Sequence, residues 1–299
     1  MPTERSRLLS ILHRHGLRAA KGLGQHFLVD EDILRSIARS TTTGPDADIV
    51  EIGSGVGNLT TLLALSGARV TAIEIDLKFQ ALHREIQITD PDFRERLQFH
   101  YGDALEFDYV AAAARAQTDG RRFLIAGNIP YQITSPLIMG ILDSGARFDS
   151  MTFLVQREVA ERLTARPGSR RNGAITIKVQ YDCEARVLMD VPARAFLPRP
   201  EVNSQVIQLT LRNKETSDAS LPPGHRPRNE TERKALFRLA DAAFAHRRKM
   251  LSNSVSAAGL GYTKAQVDTA LQQIGFTPSA RAEELGVADF VALMKALES

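Results

Sequence analysis

The sequence predicts an α/β protein with an open sheet of parallel strands and a separate, smaller helical domain. Three observations lead to this prediction. The apolar run 49–52 leads directly into a glycine-rich turn at 53–57 and then into a helical pattern, an order typical of nucleotide-binding α/β units. Two more strand-like runs, 70–74 and 97–101, follow with helical stretches between them. Beyond residue 231 the chain shows only helical periodicity.

The composition narrows the class of protein. The chain has 299 residues, 43% hydrophobic and 24% charged, which suits one large domain and one smaller one with ample core. The single cysteine, Cys183, excludes an internal disulfide and a cysteine metal cluster, and the seven histidines lack ligand spacing, so we expect no metal. No run reaches membrane-spanning length, and the basic start lacks the apolar core of a secretory signal. We therefore expect a cytoplasmic protein without a membrane partner. We also expect a monomer, although composition does not determine the oligomeric state.

Residues 1–22 form a basic segment that precedes the first predicted strand. Such an arm is suited to phosphate contacts, but a solvated, frayed terminus explains it equally well. Its cations are Arg5, Arg7, Arg14, Arg18 and Lys21, against the single acid Glu4. A glycine-bearing loop with the sequence GLGQHFL follows at 22–28, and Asp30 then has the position of a helix N-cap.

The glycine turn and the acids that follow the next two strands resemble the arrangement of a cofactor site. Gly53 and Gly55 let a ligand approach the backbone closely. Glu74 ends the second strand 21 residues after Gly53, where an acid can accept from ribose hydroxyls. Asp103 follows the third strand and is placed to accept from an adenine amine.

Two cofactors compete for this pattern. A dinucleotide-binding turn requires a third glycine at the position that Asn58 occupies. Glu51 before the turn and Asp103 after the third strand favour S-adenosylmethionine instead. An α/β protein with an empty glycine turn is the structural alternative.

The stretch GNIPY at 127–131 follows the apolar run 123–126 and precedes a helical segment at 135–142. It is therefore expected at the carboxyl end of a parallel strand, where open α/β sheets bind ligands. Asn128 offers an amide oxygen, Pro130 lacks an N–H and leaves carbonyls free around it, and Tyr131 offers a flat ring. Together they can hold an exocyclic amine and stack on its base. A plain strand-to-loop turn with a buried tyrosine is the alternative.

The second half of the chain supplies further candidates. A strand at 151–156 and a helix at 157–165 precede a loop that carries Arg170 and Arg171, and the runs 174–189 and 204–211 are apolar enough to close the sheet. Phe196 lies between those runs, either as a core residue or as a second stacking ring. The segment 213–231 is polar and rich in proline, so we interpret it as a linker. Helical patterns follow at 232–254, 263–274 and 287–294, the first of which carries Arg247, Arg248 and Lys249.

Taken together, these motifs resemble those of the ribosomal RNA adenine N6-dimethyltransferases, in particular the bacterial small-subunit branch associated with kasugamycin resistance. The resemblance covers about residues 18–299 and includes GQHFL at 24–28, EIGSG at 51–55, Glu74, DA at 103–104, NIPY at 128–131, QREV at 156–159, the segments 196–204 and 244–253, and RAE at 281–283. His26 stands where many members have Asn, Glu201 where Lys is usual, and Asn172-Gly173 where Tyr-Gly is common, and the linker is longer than usual.

The resemblance implies a Rossmann-like, seven-stranded S-adenosylmethionine-dependent methyltransferase domain at 23–212, the linker at 213–231 and an all-helical domain at 232–299. It also implies dimethylation, without a metal, of the N6 atoms of two adjacent adenines near the 3′ end of small-subunit rRNA in a pre-assembled subunit. By the same resemblance, the donor contacts correspond to His26, Leu28, Gly53, Gly55, Glu74, Asp103 with Ala104, and Asn128. Asn128, Pro130 and Tyr131 then form the catalytic group, in which the Asn128 side-chain oxygen and the Pro130 carbonyl accept from N6 and Tyr131 stacks on the base, with Phe196 as a second ring if it is not core. From their clustering, we expect the five basic residues of 170–171 and 247–249 to hold rRNA phosphates, and burial of Arg247 against a helix partner is the structural alternative.

Three alternatives remain at this stage. A large-subunit adenine methyltransferase shares most of the motifs, although the segments 244–253 and 281–283 argue against it. A DNA adenine or protein glutamine methyltransferase more often has two prolines between Asn and Tyr. A non-catalytic RNA-binding assembly factor would be expected to lack Asn128 or the donor contacts, and this chain has them.

Overall fold

The computed structural model describes residues 4–19, 22, 24–42, 44–212 and 230–298. The chain divides into two compact units. The first comprises 1–160 and 186–211, and the second comprises 161–185 and 212–299. The predicted linker at 213–231 falls almost entirely outside the described residues, as does Lys21 of the basic arm. The predicted domain boundaries therefore stay a prediction.

A seven-stranded sheet forms the core of the first unit. The strands of the chain are β1 (Phe27–Leu28), β2 (Ala47–Ile52), β3 (Arg69–Glu74), β4 (Leu97–Tyr101), β5 (Arg122–Asn128), β6 (Ser150–Gln156), β7 (Cys183–Val191), β8 (Phe196–Leu197) and β9 (Ser204–Leu211). The seven-stranded sheet has the order β4-β3-β2-β5-β6-β9-β7, and a separate two-stranded sheet joins β1 to β8. Strands β2 to β6 run parallel, and β9 pairs antiparallel with β6.

Helices alternate with the parallel strands, so the sheet is doubly wound and the predicted fold class is confirmed. Strands β3 and β4 lie on one side of β2, and β5 and β6 lie on the other side. The topological switch point of the sheet is therefore between β2 and β5, where a ligand is expected to bind. The helices up to β6 are α1 (Glu4–Arg14), α2 (Glu31–Thr41), α3 (Asn58–Leu65), α4 (Gln80–Thr89), α5 (Phe93–Arg96), α6 (Tyr109–Thr118) and α7 (Thr134–Ser144).

Helix α2 forms as its local sequence predicts. The Asp30 side chain accepts from the backbone N–H of Ile33 at 3.1 Å and so satisfies one of the unpaired donors of the first turn. Leu34 and Ile37 are buried, and both belong to the core cluster that covers one face of the sheet.

Helix α1 shows that part of the basic N-terminal segment is neither frayed nor fully solvated. Leu8, Leu12 and Leu17 are buried against Phe27 and Phe79 in one apolar cluster. Two of the arginines on this segment form exposed ion pairs, Arg7 with Glu31 at 3.5 Å and Arg14 with Glu85 at 3.3 Å. The segment docks because its leucines recur with helical spacing and bury apolar surface.

The second unit is mainly helical. It contains the end of α8 (Arg157–Leu163), and then α9 (Ala174–Asp182), α10 (Glu230–Phe244), α11 (Leu251–Ala257), α12 (Lys264–Gln273) and α13 (Val287–Glu298). The prediction of one apolar sheet-closing run over 174–189 was wrong for its first half. Residues 174–182 are helical, with Tyr181 packed edge-on against Phe237, and only β7 joins the sheet.

The prediction of one helix over 232–254 was also wrong. The helix stops after Phe244, a turn covers 245–249, and α11 begins at Leu251. Met250 has extended backbone angles, and the Leu251 N–H donates to the Ala280 carbonyl at 2.9 Å instead of to a helical partner. Arg247, Arg248 and Lys249 therefore lie on a turn. Over the described residues, no helix is both long and apolar enough to cross a membrane.

Candidate active site

A cavity of about 250 Å³ opens at the carboxyl ends of β2, β3, β4 and β5, within the first unit. The register explains the convergence, because Ile52 at the end of β2 lies opposite Ile73 of β3 and Gly127 of β5. Every residue predicted to contact the donor lines this cavity. They are His26, Leu28, Gly53, Gly55, Glu74, Asp103, Ala104 and Asn128.

The glycine turn owes its shape to backbone geometry that other residues rarely adopt. Gly55 has φ +52°, and a Cβ at this position would lie 3.2 Å from the Phe27 ring. Its N–H donates to Glu74 Oε2 at 2.7 Å. Gly53 donates to the Ile73 carbonyl at 2.9 Å, so the turn is held against β3 at two points.

Glu74 is 4% exposed and its carboxylate faces the cavity. Besides the Gly55 N–H, it accepts from the Asp76 N–H at 3.0 Å through Oε1. Burial raises the pKa of Glu74 above its usual range, because the charged form loses its hydration. Asp103, at the end of β4, accepts from the Leu105 N–H at 2.9 Å and also borders the cavity.

Asn128 ends β5 with its side chain held in one orientation. Its Nδ2 donates to the His26 carbonyl at 2.8 Å, and this contact assigns the other end of the amide, Oδ1, as the acceptor. Gly127 before it is required, since a Cβ there would lie 2.4 Å from the Ile52 carbonyl oxygen. The close approach of β2 and β5 therefore places Asn128 at the cavity.

The expectation that the Pro130 carbonyl is free was wrong. Its oxygen accepts from the Ile133 N–H at 3.1 Å and from the Thr134 hydroxyl at 3.3 Å, as the first turn of α7 requires. The Ile129 carbonyl, one residue earlier, accepts no hydrogen bond from any described residue. Ile129 and Pro130 both line the cavity.

Tyr131 is half-buried and fixed at both its ring and its hydroxyl. The hydroxyl lies 3.0 Å from Ser204 Oγ, and the ring stacks on the His26 imidazole with centroids 5.8 Å apart and planes 23° apart. Burial raises the pKa of Tyr131, so the phenol stays neutral near neutral pH.

Phe196 is a core residue in this structure. Its side chain is 2% exposed, and the residue pairs with Leu28 through β8 and β1. Burial leaves its ring without an open face for a base, so the stacking alternative disagrees with this structure.

Two residues next to the glycine turn were not among the predicted site residues. Glu51 lines the cavity at 2% exposure, and its Oε2 has no hydrogen-bond partner among the described residues. Burial raises its pKa to about 8. Its position before the glycine turn supported the choice of donor, but its burial was not foreseeable.

The second of these residues is His83 on α4, which contacts the backbone of the glycine turn. Its Nε2 lies 2.8 Å from the Gly55 carbonyl, which can only accept, so Nε2 carries the proton and Nδ1 accepts from the Tyr101 hydroxyl at 3.0 Å. The imidazole stacks on Phe99 at 4.0 Å, and burial lowers its pKa to about 4, which keeps it neutral. No sequence motif marks this residue.

The basic residues predicted to contact RNA lie in the second unit. Arg247 donates from Nη2 to the carbonyls of Arg170 and Asn172, at 2.6 and 2.9 Å, and so joins the turn after α10 to the loop before α9. Arg171 pairs with Glu161 at 3.2 Å. Arg170, Arg248 and Lys249 are exposed. Among the described residues, no group of three or more His, Cys, Asp or Glu side chains is arranged to hold a metal ion.

Comparison with known proteins gives consistent matches over nearly the whole chain. A family model described as ribosomal RNA adenine dimethylase matches residues 16–299. A protein named ribosomal RNA small subunit methyltransferase A from Moorella thermoacetica is 36% identical over 297 residues, 98% of this chain and 97% of the relative. Another with that name, from Phenylobacterium zucineum, is 38% identical over 289 residues, 97% of this chain and 92% of the relative.

Two solved structures share the fold at lower identity. A dimethyladenosine transferase from Plasmodium falciparum superposes with a TM-score of 0.71 at 23% identity, covering 90% of this chain and 96% of the other. The 23S rRNA methyltransferase ErmE gives a TM-score of 0.68 at 23% identity, covering 91% of this chain and all of the other. These two matches concern the fold alone.

Proposed function

The chain belongs to the ribosomal RNA adenine dimethylase family and is an S-adenosylmethionine-dependent rRNA adenine dimethyltransferase, and from this premise we propose which residues perform the reaction. We propose further that the substrate is a pair of adjacent adenines in the terminal hairpin near the 3′ end of small-subunit rRNA. Each adenine receives two methyl groups on N6.

The donor occupies the cavity at the ends of β2 to β5. Glu74 offers the ribose its carboxylate oxygens, Asp103 accepts from the adenine amine, and the glycine turn lets the methionine part approach the backbone. A sulfonium methyl is already activated for displacement, so the step itself requires no Lewis acid. Fixing the donor beside the acceptor supplies the alignment that an in-line displacement needs.

Asn128 and the Ile129 carbonyl bind the acceptor amine. Asn128 Oδ1 is turned away from the His26 carbonyl and is available as an acceptor, and the Ile129 oxygen has no donor among the described residues. These two oxygens accept from the two N6–H groups, which draws the lone pair of N6 out of conjugation with the ring. Ile129 thus takes the role that the sequence suggested for the Pro130 carbonyl, and the proline fixes the backbone next to it.

The reaction proceeds in two rounds of displacement. In each round the N6 lone pair attacks the methyl carbon, the carbon–sulfur bond breaks, and its electron pair passes to sulfur. The positive charge that develops on N6 is stabilised by the two fixed acceptors, and the methylated cation loses a proton to water. In the second round only one N6–H remains, so the site must accept a methyl group in place of one hydrogen bond.

The target base leaves its stack and packs on the Tyr131 ring, which lines the same cavity as Asn128. The rRNA phosphates are bound by basic side chains of the second unit, namely Arg170, Arg171, Arg248 and Lys249. Arg247 stabilises the turn on which Arg248 and Lys249 lie. We propose that the protein acts as a monomer in the cytoplasm, on small subunits that are already partly assembled.

The single observation that supports this proposal most strongly is the oriented amide of Asn128 at a cavity whose other residues suit the donor. The test is to incubate precursor small subunits and, in separate reactions, precursor large subunits with the protein and isotopically labelled S-adenosylmethionine, then to map methylated adenines by mass spectrometry. We expect N6,N6-dimethyladenine at two adjacent positions of the small-subunit rRNA. Label found only in large-subunit rRNA would overturn the substrate assignment, and tight subunit binding without label would favour a non-catalytic assembly factor.

A further inference from the structure

His26, on the N-terminal loop, contacts two of the residues proposed to bind the target base, Asn128 and Tyr131. Its carbonyl oxygen accepts from Asn128 Nδ2 at 2.8 Å. Its imidazole lies nearly parallel to the Tyr131 ring, with centroids 5.8 Å apart and planes 23° apart. The backbone of one residue therefore orients the amide, while its side chain contacts the ring on which we propose that the base stacks.

A hydrogen bond holds the His26 imidazole in place. Nδ1 lies 2.8 Å from the Pro198 carbonyl oxygen, which can only accept, so Nδ1 carries a proton and donates it. The Tyr131 hydroxyl in turn meets Ser204 Oγ at 3.0 Å. Both rings are thus tied to the segment 198–204, the imidazole at Pro198 and the phenol at Ser204.

Other rings at the cavity are less suited to a base. Phe27 also lines it, but its side chain is 7% exposed and packs with α1 and Phe79. Phe196 is buried in the core. His26 and Tyr131 are half-buried, so they are the pair of cavity rings that retains accessible surface among the described residues.

We infer that His26 is a positioning residue for the target base, acting through the Tyr131 ring. The imidazole covers one face of Tyr131 and fixes the plane of the ring, so that the other face is presented to the flipped base. This inference rests on the proposed function of Tyr131. It concerns the His26 side chain, whereas the contact with Asn128 uses the backbone and survives any substitution at this position.

Two variants separate the ring of His26 from its hydrogen bond. In His26→Asn the side-chain NH2 can replace Nδ1–H as a donor to Pro198, but the ring is lost. In His26→Phe the ring is kept and the hydrogen bond is lost. Removing the ring on which a base stacks weakens binding by roughly tenfold or more, and a Tyr131 ring that His26 no longer holds in its plane loses a comparable share of this stacking. We expect His26→Asn to reduce the single-turnover methylation rate constant by about tenfold, and His26→Phe to keep it within about threefold of the wild type.

A double-mutant cycle tests whether His26 acts through Tyr131. In a Tyr131→Ala background, adding His26→Asn should cause little further loss, because the ring that it positions is absent. Because His26 is also among the residues predicted to contact the donor, calorimetry first measures the donor affinity of each variant. All rate constants are then compared at saturating donor, so that a change in donor affinity does not enter the comparison.

Each outcome decides the question. Equal losses of the rate constant in the Asn and Phe variants at saturating donor, or full additivity with Tyr131→Ala, would overturn the inference. If the wild-type protein made no dimethyladenine on small subunits, the proposed function itself would be wrong. The wild-type reaction is therefore measured before any variant is compared.

Discussion

Replacing Asn128 with Ala removes two separate features of the site. The hydrogen bond from Nδ2 to the His26 carbonyl disappears, and so does the oriented Oδ1 that we propose as the acceptor for N6. The backbone around it is held independently, because Gly127 lies in register with Ile52 and the Ile129 N–H donates to the Leu154 carbonyl at 3.2 Å. The variant should therefore fold and retain the shape of the cavity.

The two losses differ in size. A neutral hydrogen bond at a half-buried position contributes about 0.5–1.5 kcal/mol to the free energy of unfolding. Loss of one fixed polar group at a reacting centre raises the activation free energy by about 3–4 kcal/mol, or roughly two to three orders of magnitude in rate. We therefore expect a small fall in stability and a large fall in methyl transfer. The second methylation should suffer more, since monomethyladenine has only one N6–H to orient.

The assay is single-turnover methylation of precursor small subunits at saturating donor, with mono- and dimethyladenine separated by mass spectrometry. Gln87→Ala is the matched control, because Gln87 is also half-buried and donates from its side-chain amide to the Leu97 carbonyl at 2.9 Å. This variant should lose similar stability and keep the wild-type rate. Subunit binding is measured in parallel for both.

Substantial dimethyladenine from Asn128→Ala would show that another group holds the reacting amine. If subunit binding vanished together with methylation, Asn128 would be supporting the RNA-binding surface or the fold, and its assignment as catalytic would be wrong.

Three further predictions concern the buried acid Glu51, the packing of helix α1 and the exposed basic residues of the second unit. Glu51 holds a proton in the folded state up to about pH 8, so the free energy of unfolding should fall as pH rises from 4.5 to 8, by at most about 1.4 kcal/mol per pH unit. Urea titrations should show that Glu51→Gln removes this contribution. Leu12→Ala should weaken donor binding in calorimetry, because Leu12 packs in the cluster that supports Phe27. Arg248→Ala with Lys249→Ala should flatten the salt dependence of subunit binding by up to about two phosphate contacts.

These predictions have their own controls. Leu9, on the same helix as Leu12, is 50% exposed, and its replacement by Ala should leave donor affinity unchanged. Lys264 pairs with Asp268, and Lys264→Ala should leave the salt slope unchanged. Weaker subunit binding with an unchanged slope would assign Arg248 and Lys249 a structural role. An identical pH dependence in Glu51→Gln and the wild type would contradict the protonation of Glu51.

Features that depend on local sequence were predicted correctly. The N-cap at Asp30 needs only its own helix, and the glycine turn at 53–57 follows from residues with few backbone restrictions. The convergence of Gly53, Glu74 and Asn128 followed from strand ends, since parallel strands in one sheet bring their carboxyl ends to the same edge. The family prediction, which rested on the order and spacing of motifs, is confirmed.

Features that depend on contacts between distant segments were not predictable in this way. The run 174–182 carries β-branched residues that suit a strand, yet it packs as a helix in the second unit, where Tyr181 meets Phe237. The break after Phe244 becomes clear once Arg247 is seen donating to carbonyls at 170 and 172. No window of sequence contains both ends of such a contact.

The sequence by itself determined the fold class, the family and the position of Asn128 at the end of a parallel strand, because each follows from residue type and from the order and spacing of motifs along the chain. The tertiary structure decided which polar groups remain available for chemistry. The first turn of α7 uses the Pro130 carbonyl as an acceptor, Phe196 is buried in the core, and Glu51 Oε2 has no hydrogen-bond partner among the described residues. The physical reason is that hydrogen-bond saturation and burial belong to the packed environment of a group, which residues far away in the chain supply.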